Sequence, residues 1–263
     1  MPEAHHRPPH SHPTHRRPAL VAVAHGSRDP RALRTVSALL ERVRELRPGL
    51  DVRLGHIELN EPLLADTLAG LRGAPAVLVP LLLSRGYHVK HDLPQAAAAA
   101  PGGGADIRIA RPLGPHPLLV EALCSRLAEA GWCDADGSSR STGVVLASAG
   151  SRDPESAEDT RRMAEMLGER LGGVPVVAAY ASALAPTVPA AVRALTARGR
   201  HRIAVASYFA APGLFATSSA AAAPWIAADP LGTHPALARL LLHRYDEART
   251  RPYALREQEL SAA

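Results

Sequence analysis

The hydrophobic pattern along the chain switches between two periods. Residues 19–24 ("ALVAVA") form an unbroken apolar run that reads as a buried strand, whereas residues 32–47 ("ALRTVSALLERVRELR") place apolar side chains at helical spacing. "DVRLGHIEL" (51–59) reads as a second strand, a helix is predicted near 62–72, and "AVLVPLLL" (76–83) predicts a third strand. A helix after Asp92, the strand "DIRIA" (106–110) and a helix over 117–130 complete the series. Strands alternating with helices predict a parallel sheet covered on both faces, an α/β fold whose ligands sit at the carboxyl ends of the strands.

The series then repeats. "AHGSRDP" (24–30) returns as "SAGSRDP" (148–154), 124 residues later, and "HIELNEP" (56–62) falls on "YASALAP" (180–186) at the same displacement. "RPLGPHPLL" (111–119) returns as "DPLGTHPAL" (229–237) after a contraction of the intervening loop. Two tandem similar domains follow, each a parallel sheet flanked by helices: 19–131 and 143–249, with a Gly-, Ser- and Asp-rich linker over 132–142. Residues 1–18, which carry five histidines among Pro and Arg, have no hydrophobic period and are expected to be disordered, either a metal-gathering tail or a drifted leader; 250–263 form a second tail.

Composition narrows the classes. With 46% apolar residues the chain builds real cores, and with only 3% aromatic residues it fills them with Leu, Val and Ala. No stretch reaches the roughly 18–20 uncharged apolar residues of a membrane span, and no apolar signal segment opens the chain, so a cytoplasmic address is expected. Cys124 and Cys133 suggest ordinary thiols rather than a disulfide framework. A net charge of +5 points to an acidic partner, but the cations are scattered over helices without a nucleic-acid-binding signature, so a small polyanion is expected instead of nucleic acid. Nearly all the cations are arginine, and Lys90 is the only lysine.

Comparing the two copies separates scaffold from chemistry. Both keep the "GSRDP" turn, in which Asp29 and Asp153 are placed to cap helices opened by Pro30 and Pro154, and both keep the "PLG.HP" turn, which makes His116 and His234 structural. What the second copy loses is a coherent chemical set. His25 becomes Ala149, His56 becomes Tyr180, Glu58 becomes Ser182, and the loop carrying Tyr87, His88, Lys90, His91 and Asp92 becomes "PGLFATSS", with Phe215 in the place of His88. His25, Glu58 and His88 each lie at or just past a strand's carboxyl end and are predicted to converge on one cleft. Two imidazoles and a carboxylate there can bind Fe²⁺, Co²⁺ or Ni²⁺ with coordination positions left open, or accept protons near neutral pH. His56 reads as a packed histidine, and His91 as solvated or hydrogen-bonded within its loop.

These motifs, above all "LVAVAHGSRDP", "HIELNEP" and "GYHVKHDLP", resemble those of the sirohydrochlorin chelatases of the CbiX and SirB type, class II chelatases that insert Co²⁺ or Fe²⁺ into a tetrapyrrole. The resemblance covers about residues 19–249 and implies the two-domain form with the active copy first. It maps the family's metal-binding histidine pair onto His25 and His88 and its acidic helper onto Glu58. It implies sirohydrochlorin as substrate and a divalent metal as co-substrate, with no organic cofactor. For that polycarboxylate a basic rim is expected, with Arg28, Arg85, Lys90 and Arg111 as candidates and the second copy's Arg152 dispensable. Duplication within one chain suggests a monomer. Two rivals stand beside this reading: a non-enzymatic carrier of Co²⁺, Ni²⁺ or Fe²⁺, and a histidine phosphatase, against which Ala24 stands where a phosphate-clamping arginine is needed.

Overall fold

The computed structural model describes residues 17–102, 104 and 106–250; most of the histidine-rich leader and nearly all of the C-terminal tail lie outside them. The first half contains β1 (Ala19–Ala24), α1 (Pro30–Leu46), β2 (Val52–His56), α2 (Leu64–Ala69), β3 (Ala76–Pro80), a π-helical turn (His88–Asp92) running into α3 (Leu93–Ala98), β4 (Ile107–Ile109) and α4 (Pro117–Glu129). A short helix α5 (Asp134–Ser138) lies in the connection. The second half contains β5 (Thr142–Ser148), α6 (Pro154–Arg170), β6 (Val176–Tyr180), α7 (Val188–Ala197), β7 (Arg202–Ser207), α8 (Leu214–Ala221), β8 (Ile226–Ala227) and α9 (Pro235–Thr250).

Each half builds one parallel four-stranded sheet, in the order β2-β1-β3-β4 and then β6-β5-β7-β8, as the alternation of periods predicts. All six residues of β1 and all seven of β5 are buried, which explains why these strands read as apolar on both faces. The helix starts follow the sequence signals. Asp29 accepts the Arg31 backbone N–H at 2.9 Å and Asp153 accepts that of Glu155 at 3.0 Å, with proline in the first turn of each helix. Several predicted elements are shorter than their apolar runs. β2 stops at His56 because the chain turns back there: His56 N–H donates to the Pro62 carbonyl at 3.0 Å, and Leu59 takes a positive φ of 67°. The segment read as a loop around His88 is a helical turn that continues directly into α3. Among the described residues no helix is long and apolar enough to cross a membrane.

The halves are joined by exchanging their last helices. α4, which ends the first half, packs on α6 and β7 of the second; α9, which ends the second half, packs on α1 and β3 of the first. One continuous core therefore holds Leu20 and Ala22 of β1, Leu119 and Leu123 of α4, Val144 and Leu146 of β5, and Leu237 and Leu241 of α9. The outer face of each sheet keeps a separate core, under α2 and α3 in the first half and under α7 in the second. Leu237, Leu240 and Leu241 are fully buried, so their transfer from water alone stabilises the exchange by roughly 5 kcal/mol or more. Polar ties follow the same seam: Arg47 binds Asp246 through two bonds of 2.6 and 2.8 Å, Tyr245 Oη donates to the Pro18 carbonyl at 2.6 Å, and Tyr208 Oη donates to that of Leu83 at 2.8 Å.

Candidate functional site

β1 ends at Ala24 and delivers His25 to the carboxyl edge of the first sheet. Gly26 then turns the chain at φ +107°, and a Cβ there would lie 1.9 Å from the Glu58 carbonyl oxygen. Only glycine lets this turn lie flat against the one after β2. The two turns are stitched together: Glu58 N–H donates to the His25 carbonyl at 3.0 Å, and Ser27 N–H to Asn60 Oδ1 at 2.7 Å. The stitching sets His25 Nδ1 3.4 Å from Glu58 Oε1.

His88 arrives from the other side, on the first residue of the π-helical turn that follows β3. Its ring meets that of His25 edge to face, with centroids 4.6 Å apart and an interplanar angle of 85°. His88 Nδ1 lies 2.5 Å from Asp92 Oδ2, one helical turn on. Burial lowers the pKa of His25, the charge of His88 lowers it further, and Glu58 opposes both. Its imidazole is therefore held neutral, with a lone pair to offer, at neutral pH. Among the described residues no group of three or more His, Cys, Asp or Glu side chains is placed to hold a metal.

The pair faces a cleft of about 1430 Å³ between the halves. The opposite wall is the corresponding edge of the second sheet, where Ala149, Ser182 and Phe215 occupy the positions of His25, Glu58 and His88. Equivalent loop approaches repeat across the cleft: a Cβ at Gly86 would lie 3.5 Å from Ser151 Oγ, and one at Gly213 would lie 3.6 Å from Ser27 Oγ, both at ordinary contact distance. The mouth carries exposed apolar side chains from both halves, among them Leu59, Tyr87, Leu214 and Phe215.

The structure brings together His25, Glu58 and His88 as the sequence suggests, but it divides the four expected rim cations. Arg28 lines the cleft, exposed. Arg85 and Lys90, expected to be open to substrate, are committed to the other half. The Arg85 guanidinium reaches Asp159 at 2.6 Å and Glu155 at 2.6 Å, and its backbone N–H donates to Asp159 at 2.9 Å. Lys90 Nζ lies 2.8 Å from both Asp153 and Glu155. The hydrogen bonds that Arg85 donates to Asp159 hold its pKa up; burial works against the Lys90 ammonium, but Asp153 and Glu155 outweigh it. Arg111 lies away from the cleft, 3.8 Å from Glu247 of α9. Arg152, expected to be dispensable, lines the cleft wall facing the first half.

His56, His116 and His234 are held by backbone hydrogen bonds. His56 is buried, with Nδ1 3.2 Å from the Pro62 carbonyl and its pKa lowered by burial. His116 and His234 accept the backbone N–H groups of Leu118 and Ala236 at 3.1 and 3.2 Å, capping α4 and α9. His91 is exposed and stacks on Tyr87 at 4.6 Å. Sequence reasoning missed the acidic face of α6 that receives Arg85 and Lys90. A signal for it exists: at the 124-residue displacement Glu155, Glu158 and Asp159 stand where the first copy has Arg31, Arg34 and Thr35.

The family model CbiX matches residues 19–130 and again 143–248. A sirohydrochlorin cobaltochelatase of Methanosarcina acetivorans is 28% identical over 123 residues, 42% of this chain and 95% of the relative. A sirohydrochlorin ferrochelatase of Bacillus subtilis is 28% identical over 173 residues, 64% of each chain. The fold matches that of SirB from Bacillus subtilis, solved with Fe³⁺, at a TM-score of 0.70 and 23% identity, covering 89% of this chain and 96% of that one.

Proposed function

The chain belongs to the CbiX family, and on that premise we propose that it inserts Co²⁺ or Fe²⁺ into sirohydrochlorin. The observation that carries the reading is the edge-to-face pair His25 and His88 at the wall of a cleft between the halves, opposite a wall that has Ala149 and Phe215 in their places. The relatives that bear the names of cobalto- and ferrochelatases support it.

In this reading the copies are residues 19–131 and 143–249, joined by 132–142, and the first performs the chemistry. The Nε2 atoms of His25 and His88 hold the incoming ion, which is a substrate and leaves with the product. Two imidazoles leave most of the coordination sphere to water, so the ion is exchangeable. The macrocycle enters between the halves against the apolar mouth, and Arg28 and Arg152 receive its carboxylates from opposite walls. As the ring nitrogens replace the imidazoles on the metal, two pyrrole N–H protons depart. Glu58 lines the cleft beside His25 and accepts them one at a time, passing the first to the water of the open cleft before it takes the second. The second copy supplies the wall that a partner molecule would otherwise provide, and the enzyme acts as a monomer.

The test is an anaerobic mixture of protein, sirohydrochlorin and either Co²⁺ or Fe²⁺, followed by the absorption spectrum of the macrocycle. Wild type accelerates metallation, and His25→Ala or His88→Ala returns the rate to background with an unfolding free energy within about 0.5 kcal/mol of the parent, because both rings are partly exposed. A carrier would bind the metal yet leave the insertion rate at background in the wild type, and that result would sink the chelatase reading.

A further inference from the structure

We propose that Asp92 is a positioning residue for metal capture: it fixes the tautomer and direction of the His88 imidazole so that Nε2 faces the cleft as a lone-pair donor. The inference rests on the reading of His88 as a metal-holding residue.

Four observations carry it. Asp92 Oδ2 lies 2.5 Å from His88 Nδ1. An ionised carboxylate only accepts hydrogen bonds, so this contact requires the proton on Nδ1, and in the neutral imidazole that leaves Nε2 bare. Asp92 does not line the cleft, whereas His88 and Glu58 do, so it acts through the ring and never meets the substrate. The chain also builds the contact into one rigid turn. His88 and Asp92 open and close a single π-helical turn, whose carbonyl at His88 accepts the N–H of Leu93, and Leu93 is fully buried. Such widened turns often mark places where a helix is distorted to aim a side chain. Finally, the blank copy lost this carboxylate together with its imidazole. In the register set by Gly86 and Gly213, Phe215 replaces His88 and Ser219 replaces Asp92; Ser219 Oγ is now buried without a hydrogen-bond partner. Where there is no ring to hold, no carboxylate stands behind it.

The two carboxylates near the imidazoles thus have separate tasks. Glu58 touches His25 more loosely, at 3.4 Å, is half exposed and opens on the substrate. Asp92 is the closer and the more enclosed of the two.

The experiment uses the full chain labelled with ¹⁵N-histidine, metal-free, at a pH where the imidazoles are neutral. In the wild type the His88 ring nitrogens are expected to show the Nδ1–H tautomer. Asp92→Ser, which installs the residue of the second copy, should shift the ring towards the Nε2–H form, weaken Co²⁺ binding about 10- to 100-fold in calorimetric titration, and leave the KM for sirohydrochlorin unchanged. Asp92→Glu should restore the wild-type tautomer. A wild-type ring already in the Nε2–H form overturns the proposal without any variant, and so does an Asp92→Ser protein with unaltered tautomer and Co²⁺ affinity. If the tautomer and affinity respond as stated but no protein metallates sirohydrochlorin, the positioning role of Asp92 stands and the chelatase reading falls.

Discussion

The charged seam at the edge of the cleft makes a quantitative prediction. Asp159 on α6 is 4% exposed at its side chain and takes its hydrogen bonds from Arg85: the backbone N–H at 2.9 Å, Nε at 3.0 Å and Nη2 at 2.6 Å. Replacing Arg85 by alanine keeps the backbone donor but leaves a buried carboxylate without its counter-ion. Breaking a buried pair from one side costs about 3–5 kcal/mol, and the 28% exposure of Arg85 puts this case near the lower end, about 3 kcal/mol. Asp159→Ala should cost less, about 1.5 kcal/mol, because the guanidinium keeps Glu155 at 2.6 Å and reaches water. The double variant removes the orphaned charge as well as the pair, so its loss should fall short of the sum of the singles by at least about 1 kcal/mol. Urea unfolding followed by the fluorescence of Trp132 and Trp225 and by circular dichroism measures all three. In thermal unfolding the Arg85→Ala loss corresponds to a midpoint lowered by about 6–12 °C for a chain of this length. Singles within about 0.5 kcal/mol of the parent, with an additive double, would show an ordinary solvated ion pair and refute the reasoning.

Three further outcomes are expected. Gly26→Ala should cost about 2–3 kcal/mol, since the new Cβ meets the Glu58 carbonyl at a φ of +107°, and should also reduce insertion by parting His25 from Glu58; Gly150→Ala, strained in the same way against Ser182, should cost similar stability while leaving that pair in place. His116 caps α4 through a neutral Nδ1, and burial, helped by Arg244 and His243, lowers its pKa from 6.5 to about 4. The unfolded chain then binds a proton that the folded one refuses, so stability is full above pH 6.5, falls as the pH drops towards 4, and has lost up to about 3 kcal/mol there from this group; His116→Asn, which caps without titrating, should flatten the slope of urea midpoints against pH, and an unchanged slope would contradict the assignment. Arg152→Ala should raise the KM for sirohydrochlorin about tenfold with kcat little altered; an unaltered KM removes this arginine from the substrate's path.

Much of this architecture is legible in the sequence because it is written in local rules. The Asp-Pro pairs at 29–30 and 153–154 announce helix starts whatever surrounds them, and the runs of β1 and β5 need only be apolar on both faces. The imidazole pair was legible for a different reason: an internal copy without it stands 124 residues away. What local rules do not encode is destination. The apolar stripe of residues 117–129 says that α4 is buried, not that it is buried on the other half's sheet. Arg85 and Lys90 follow a strand end as a substrate-binding cation would, and only the approach of α6 turns them into ties between the halves. Asp92 reads as one more polar residue before a helix until the π-helical turn sets it beside His88.

The crossing of α4 and α9 makes each copy depend on the other for its cover. In the trailing copy the positions corresponding to His25, Glu58 and His88, namely Ala149, Ser182 and Phe215, line the cleft and lie outside the shared core. Removing the trailing copy would strip the leading sheet of the helix that roofs it and uncover the face of α4 that packs on α6 and β7. The half without the imidazole pair still carries part of the fold of the half that has it.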